Sequence, residues 1–180
     1  MTGRPASGKS TLAKWLGEKL AWPVVSKDGV KEILFNQLGW DNREWSKELG
    51  HASVELMFHF TEKMLETRHS LILDNAFHSN LASPRFKTIN QRYEVKFLQV
   101  VCNAPDGVLF DRFRERAIEN PRHPGHVDLQ CLDEYRRSLK SILPRVLDIG
   151  GEIIEVDTTD WAKVHYENIL EQVQNIVDFP

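Results

Sequence analysis

The feature that most constrains this chain is Gly3 to Ser10, GRPASGKS, which matches G-x-x-x-x-G-K-[ST]. Leu12, Trp15, Leu16 and Leu20 recur at helical spacing straight after it, so the spacing predicts a helix over about residues 9 to 20. A glycine-rich turn running into a helix N-terminus aims backbone N–H groups and the helix dipole at an anion. Gly3, Arg4, Pro5, Ala6, Ser7, Gly8, Lys9, Ser10 and Thr11 are therefore expected to cradle the phosphates of ATP, with Lys9 reaching the β- and γ-phosphates and Ser10 ligating Mg2+. Such a loop normally follows a buried strand. Only Met1 and Thr2 precede Gly3, so the sequence is expected to lack that first, central strand.

The remainder alternates strand and helix patterns. WPVVS (22–26), SLILDN (70–75), VKFLQVVCN (95–103) and EIIEVD (152–157) are apolar and strand-like, and Pro23 confines the first of them to a sheet edge. Helices are expected at about 29–38, 42–67 with a break near Gly50, 80–92, 106–119, 128–147 and 161–177. Strands separated by helices imply a parallel sheet covered on both faces, an α/β fold within one domain over 1–180.

Of the 180 residues, 41% are hydrophobic and 27% charged, with no apolar run long enough for a membrane span. A cytoplasmic protein with no membrane partner is expected. The formal net charge of −3 argues against a chain built mainly to track nucleic acid. Cys102 and Cys131 lack metal-ligand spacing and are expected as buried thiols.

Taken with the phosphate loop, DGVKEILFNQLG (28–39), LILDN (71–75), DRFRERA (111–117) with RHPGH (122–126), and VDTT (156–159) resemble the AAA_33-type small kinases. That group includes zeta-toxin-like, chloramphenicol-phosphotransferase-like and polynucleotide-5′-hydroxyl-kinase-like proteins. The resemblance implies a P-loop NTPase fold of nucleoside-monophosphate-kinase type, with five strands in the order 2-3-1-4-5. It also implies that Asp28 accepts the proton of an acceptor hydroxyl, and that a lid over about 105–127 carries phosphate-binding arginines. Arg112, Arg116 and Arg122 are the candidates. Thr158 and Trp161 fall where the resemblance puts the adenine pocket.

Each of these residues has a structural alternative. Asp28 could cap the helix expected at 29, and Thr159 or Asp160 the last helix. Asp74, at the end of an apolar strand, is placed either to reach magnesium or to close a turn. Arg112 and Arg116, four apart, need either an anion or acidic neighbours such as Glu115 and Glu119. Arg85 is a candidate acceptor clamp, and His123 and His126 candidate lid or acceptor contacts in a mobile loop. The expected activity is transfer of the ATP γ-phosphate to a hydroxyl of a small-molecule acceptor. The alternatives are a polynucleotide 5′-hydroxyl kinase and an ATP-binding module without chemistry.

Overall fold

The computed structural model describes residues 1–140 and 146–177. The elements follow one another as β1 (Thr2–Gly3), α1 (Lys9–Leu20), β2 (Val24–Ser26), α2 (Lys27–Leu38), α3 (Arg43–Glu66), β3 (Ile72–Asp74), α4 (Ser79–Tyr93), β4 (Leu98–Asn103), α5 (Asp106–Glu119), α6 (Leu132–Leu139), β5 (Glu152–Asp157) and α7 (Tyr166–Val177). The expected helix over 128–147 is a short 3-10 segment, Asp128–Cys131, followed by α6; residues 141–145 lie outside the described part. The last helix starts later than its pattern suggested, because Asp160 caps a separate 3-10 turn at Trp161–Lys163.

All strand pairs are parallel. β4 lies between β1 and β5, and β2 pairs with β3. One backbone hydrogen bond, from Asn75 N to Met1 O at 3.4 Å, brings β3 beside β1, giving the order β2-β3-β1-β4-β5. β2 is at the edge, as Pro23 demanded. Leu12 and Leu16 of α1 pack with Ile169 and Val173 of α7 against Val100, Cys102, Ile154 and Val156 on one face. Met57, Phe58, Phe77, Phe86 and Ile89 form the core under α3 and α4.

β1 is therefore present, but only two residues long, and it pairs with Val101 and Cys102 alone. Below it the sheet opens into a cavity of about 970 Å³ lined by Met1, Leu16, Ile72, Leu73, Leu98 and Val100. Among the described residues, Leu98–Val100 and Ile72–Asp74 have no strand partner on the sides that face it. A chain extended ahead of Met1 by about five apolar residues should pair with both edges. A net gain of about 3 kcal/mol from apolar burial, after ordering entropy, corresponds to about 10 °C in Tm for a domain of this size. An extended variant that melts no higher than the parent would show that the cavity does not accept a strand.

α3 is a single helix of 24 residues, unbroken at Gly50. Gly50 is buried, and a β-carbon there would stand 3.7 Å from Lys31 Nζ and 3.8 Å from Lys27 Nζ. Those are ordinary van der Waals distances: the glycine packs beside two α2 lysines within an unbroken helix.

Candidate active site

The loop between β1 and α1 has the backbone its motif requires. At Gly3 (φ 148°) a β-carbon would come within 2.5 Å of both Cys102 O and Ser7 Oγ, so only glycine lets the loop leave the sheet here. Ala6 (φ 62°) and Gly8 (φ 76°) are left-handed and roll the intervening peptides into a concave nest. Gly8 is the N-cap of α1 and supplies no side-chain acceptor, so the first-turn N–H groups stay available to a phosphate. Tyr135 Oη donates to Pro5 O at 2.5 Å and braces the loop from α6. Arg4 is turned outward onto Asp106.

Lys9 lies in the floor of a pocket of about 570 Å³ that also exposes Pro5, Ala6, Ser10, Asp28, Asp74, Arg116 and Arg122. Burial pushes its ammonium below the ordinary lysine value, with Asp74 and Asp28 pulling the other way. Asp74 is 3% exposed at the end of β3, and its Oδ1 has no hydrogen-bond partner. A buried, unsatisfied carboxylate oxygen in a pocket shared with the Ser10 hydroxyl suits a hard divalent cation with oxygen ligands. Among the described residues no cluster of three His, Cys, Asp or Glu side chains forms a metal site of its own.

The opposite wall is a chain of alternating charge. Asp28 accepts from Lys27 Nζ at 3.1 Å and from Arg122 Nη1 at 2.5 Å. Arg122 also holds Asp128 through Nε and Nη2, at 2.9 and 2.6 Å. Arg116 Nη2 lies 3.8 Å from the same carboxylate, and its Nε and Nη2 are buried without a hydrogen bond. Burial alone would raise the Asp28 pKa, but Lys27, Arg122 and His126 hold it well below the usual carboxylate range. Arg116 is pushed down by burial and by Arg122 beside it. An underpartnered guanidinium facing a phosphate cradle has the charge and donors that a polyphosphate lacks.

Several expectations change here. The cap of α2 is Ser26, whose hydroxyl accepts from Gly29 N at 3.3 Å, and Asp28 stands in the first turn facing the pocket. The capping alternative for Asp28 therefore falls. Arg112 and Arg116 separate: Arg112 donates to Thr159 O at 3.1 Å and lies over the Trp161 ring, away from the pocket. Trp161 in turn covers Gly8, where a β-carbon would meet its ring at 1.6 Å. Thr158 is 1% exposed and spends its N–H and hydroxyl on Asn103 O, so it ties β5 to β4 and presents nothing to the pocket. Arg85 bonds Glu55 and covers Phe58, also outside the pocket.

The PRHPGH loop is docked onto α2. His123 stacks on Phe35 at 5.1 Å, and buried His126 contacts Glu32 at 2.9 Å. Gly125 is required because a β-carbon would stand 2.6 Å from the Phe35 ring. The pocket also contains residues the sequence reading did not single out: Lys27, Lys31, Arg43, Asp128, Glu134 and Tyr135. One signal was available. Asp28 and Lys31 are three apart on a predicted helix and so share a face.

Comparison with known proteins agrees with this architecture. Two proteins named "Putative adenylate kinase" align over nearly the whole chain. The one from Pyrococcus abyssi is 27% identical over 177 residues, covering 98% of this chain and 82% of the relative. That from Pyrococcus furiosus is 24% identical over 179 residues, covering 99% and 82%. The crystal structure of a "putative kinase" from Chloroflexus aurantiacus superposes with a TM-score of 0.86 at 33% identity, covering 97% of this chain and 95% of that one. The AAA_33 family, described as an AAA domain, matches residues 1–142, which carry the phosphate loop, Asp28, Asp74 and the arginines of α5 and its following loop. The chain belongs to the AAA_33 family of P-loop proteins.

Proposed function

We propose that this chain is an ATP-dependent phosphotransferase that moves the γ-phosphate to a hydroxyl of a small-molecule acceptor. The observation that carries this reading is that the phosphate loop and Asp28 face each other in one pocket, with Arg116 and Arg122 beside them. Lys9 and the N-terminal amides of α1 bind the β- and γ-phosphates. Ser10 and Asp74 would hold Mg2+, which when bound screens phosphate charge. Asp28 accepts a hydrogen bond from the acceptor hydroxyl and holds its oxygen in line with the γ-phosphorus. As the new O–P bond forms, the bond from the γ-phosphorus to the β-bridging oxygen breaks. ADP departs, and the hydroxyl proton passes to Asp28 and then to water. Arg116 and Arg122 stabilise the charge on the transferring group.

A hydroxyl acceptor fits Asp28 better than a phosphate acceptor does. A phosphate at neutral pH has little need of a proton acceptor, and an anionic carboxylate repels it. The relatives' names make AMP the natural counter-test. With labelled ATP and Mg2+, label is expected on a member of an alcohol, sugar and hydroxy-acid panel, with one ADP formed per product. Label on AMP alone would replace this reading with a nucleotide kinase, and label on 5′-hydroxyl oligonucleotides alone with a polynucleotide kinase. ATP binding with no acceptor labelled would favour the binding module.

A further inference from the structure

We infer that the acceptor carries, besides its reacting hydroxyl, an anionic oxyacid group seated on Lys31 and Lys27. This rests on the reading above, in which the acceptor lies on the Asp28 side of the pocket.

Lys31 lines that pocket yet is only 3% exposed. Its ammonium donates to Ser46 Oγ at 2.8 Å and lies over the Phe35 ring at 5.0 Å. Both compensating groups are neutral. Among the described residues no carboxylate lies within ion-pair distance of it, whereas the neighbouring cations are matched: Lys27 has Asp28, Arg43 has both oxygens of Glu134, and Arg122 has Asp28 and Asp128. Burial, then Lys27, Arg43 and Arg122, push the Lys31 pKa down to about 8, and Asp28 opposes them only in part. An uncompensated buried ammonium is costly, and a methionine would fill the same space without that cost.

The two ammonium groups converge beside Gly50, each within 3.8 Å of the place its β-carbon would take. Lys27 is committed to Asp28, so an anion arriving here meets one shared and one free cation. Lys31 follows Asp28 by one helical turn, which separates the charged end of an acceptor from its reacting hydroxyl by a span that a hydroxy acid or a phosphorylated alcohol can bridge. The nucleotide does not compete for this corner, since the phosphate loop is on the Lys9 side.

The experiment titrates sodium sulfate into the protein saturated with ADP and Mg2+, using the parent chain, Lys31→Met and Lys31→Arg, with circular dichroism and melting to establish folding. The parent should bind one sulfate, Lys31→Met should bind it on the order of 10-fold or more weakly, and Lys31→Arg should retain most of the affinity. Lys31→Met should melt no lower than the parent. Equal sulfate affinity in the parent and Lys31→Met, or no sulfate bound by the loaded parent, would overturn the inference. If ADP itself failed to bind, the phosphotransferase reading would fall and the acceptor assignment with it, whereas ADP binding with equal sulfate affinity in parent and Lys31→Met would overturn this inference alone. Paired acceptors then identify the group: glycerol against glycerate for a carboxylate, and a nucleoside against its 3′-monophosphate for a phosphate. Preference for the charged member of a pair, lost in Lys31→Met, is expected; equal use of both members would overturn the inference.

Discussion

Lys9→Ala is expected to weaken binding of ATP with Mg2+ by about 30- to 1000-fold, while the protein melts at the same temperature or higher. The affinity loss follows from removing a half-buried ammonium that alone in the loop can reach the β- and γ-phosphates. Charge-assisted contacts of this kind carry about 2 to 4 kcal/mol when one partner is deleted, and about 1.4 kcal/mol is tenfold in affinity. The backbone amides of α1 remain, which is why some binding should survive. The stability expectation follows from the direction of the Lys9 pKa, which burial lowers despite the attraction of Asp74 and Asp28. A cation that the fold holds at a cost is not one the fold needs. Isothermal titration with a nonhydrolysable ATP analogue, beside thermal melting, checks both halves. Unchanged affinity would mean that the phosphates sit elsewhere, and a large drop in Tm would mean that Lys9 is chiefly structural.

The parts of this molecule that were legible in the sequence are those governed by local chemistry. GRPASGKS specifies a turn whose glycines are required by φ and by close approach, and the structure gives reasons at Gly3 and Gly8. Pro23 identified an edge strand because it removes a donor, and the apolar run before Asp74 placed a carboxylate at a strand end. Long-range pairing was not legible. Arg122 reaches Asp28 across 94 positions, and nothing local in RHPGH indicates that its loop would dock on Phe35 of α2. Gly50 looked like a helix break because an interior glycine costs about 1 kcal/mol; the helix runs through it, and its packing beside Lys27 and Lys31 of α2 is a tertiary contact. The reading of Arg112 and Arg116 as one pair came from their shared spacing. Thr159 O and the Trp161 ring then hold the Arg112 guanidinium outside the pocket that Arg116 lines.

Asp28→Asn distinguishes an enzyme from a binding module. The substitution keeps the size of the side chain and one carbonyl acceptor, and the helix keeps its Ser26 cap, so α2 should form as before. Arg122 retains Asp128 through two hydrogen bonds, so its guanidinium stays anchored in the pocket. Removal of a proton acceptor typically costs about 10²- to 10⁴-fold in rate, so kcat should fall by that amount, with ATP affinity altered only a few-fold. The pH profile offers a second check. Lys27 and Arg122 hold the Asp28 carboxyl below its ordinary 3.8, so in kcat/KM, which reports the free enzyme, the acid limb contributed by this group should lie below that value. The sign is that of a depressed acid: Asp28 is already ionised throughout the neutral range, and its contribution to both stability and turnover is lost only as pH falls through the lowered pKa. In the proposed reaction the Arg122–Asp28 pair divides between the two substrates, the arginine going to the γ-phosphate and the carboxylate to the acceptor hydroxyl. An Asp28→Asn enzyme that transfers phosphate within a few-fold of the parent would assign the hydroxyl to another acceptor, with Asp74 the remaining carboxylate at the P-loop end of the pocket.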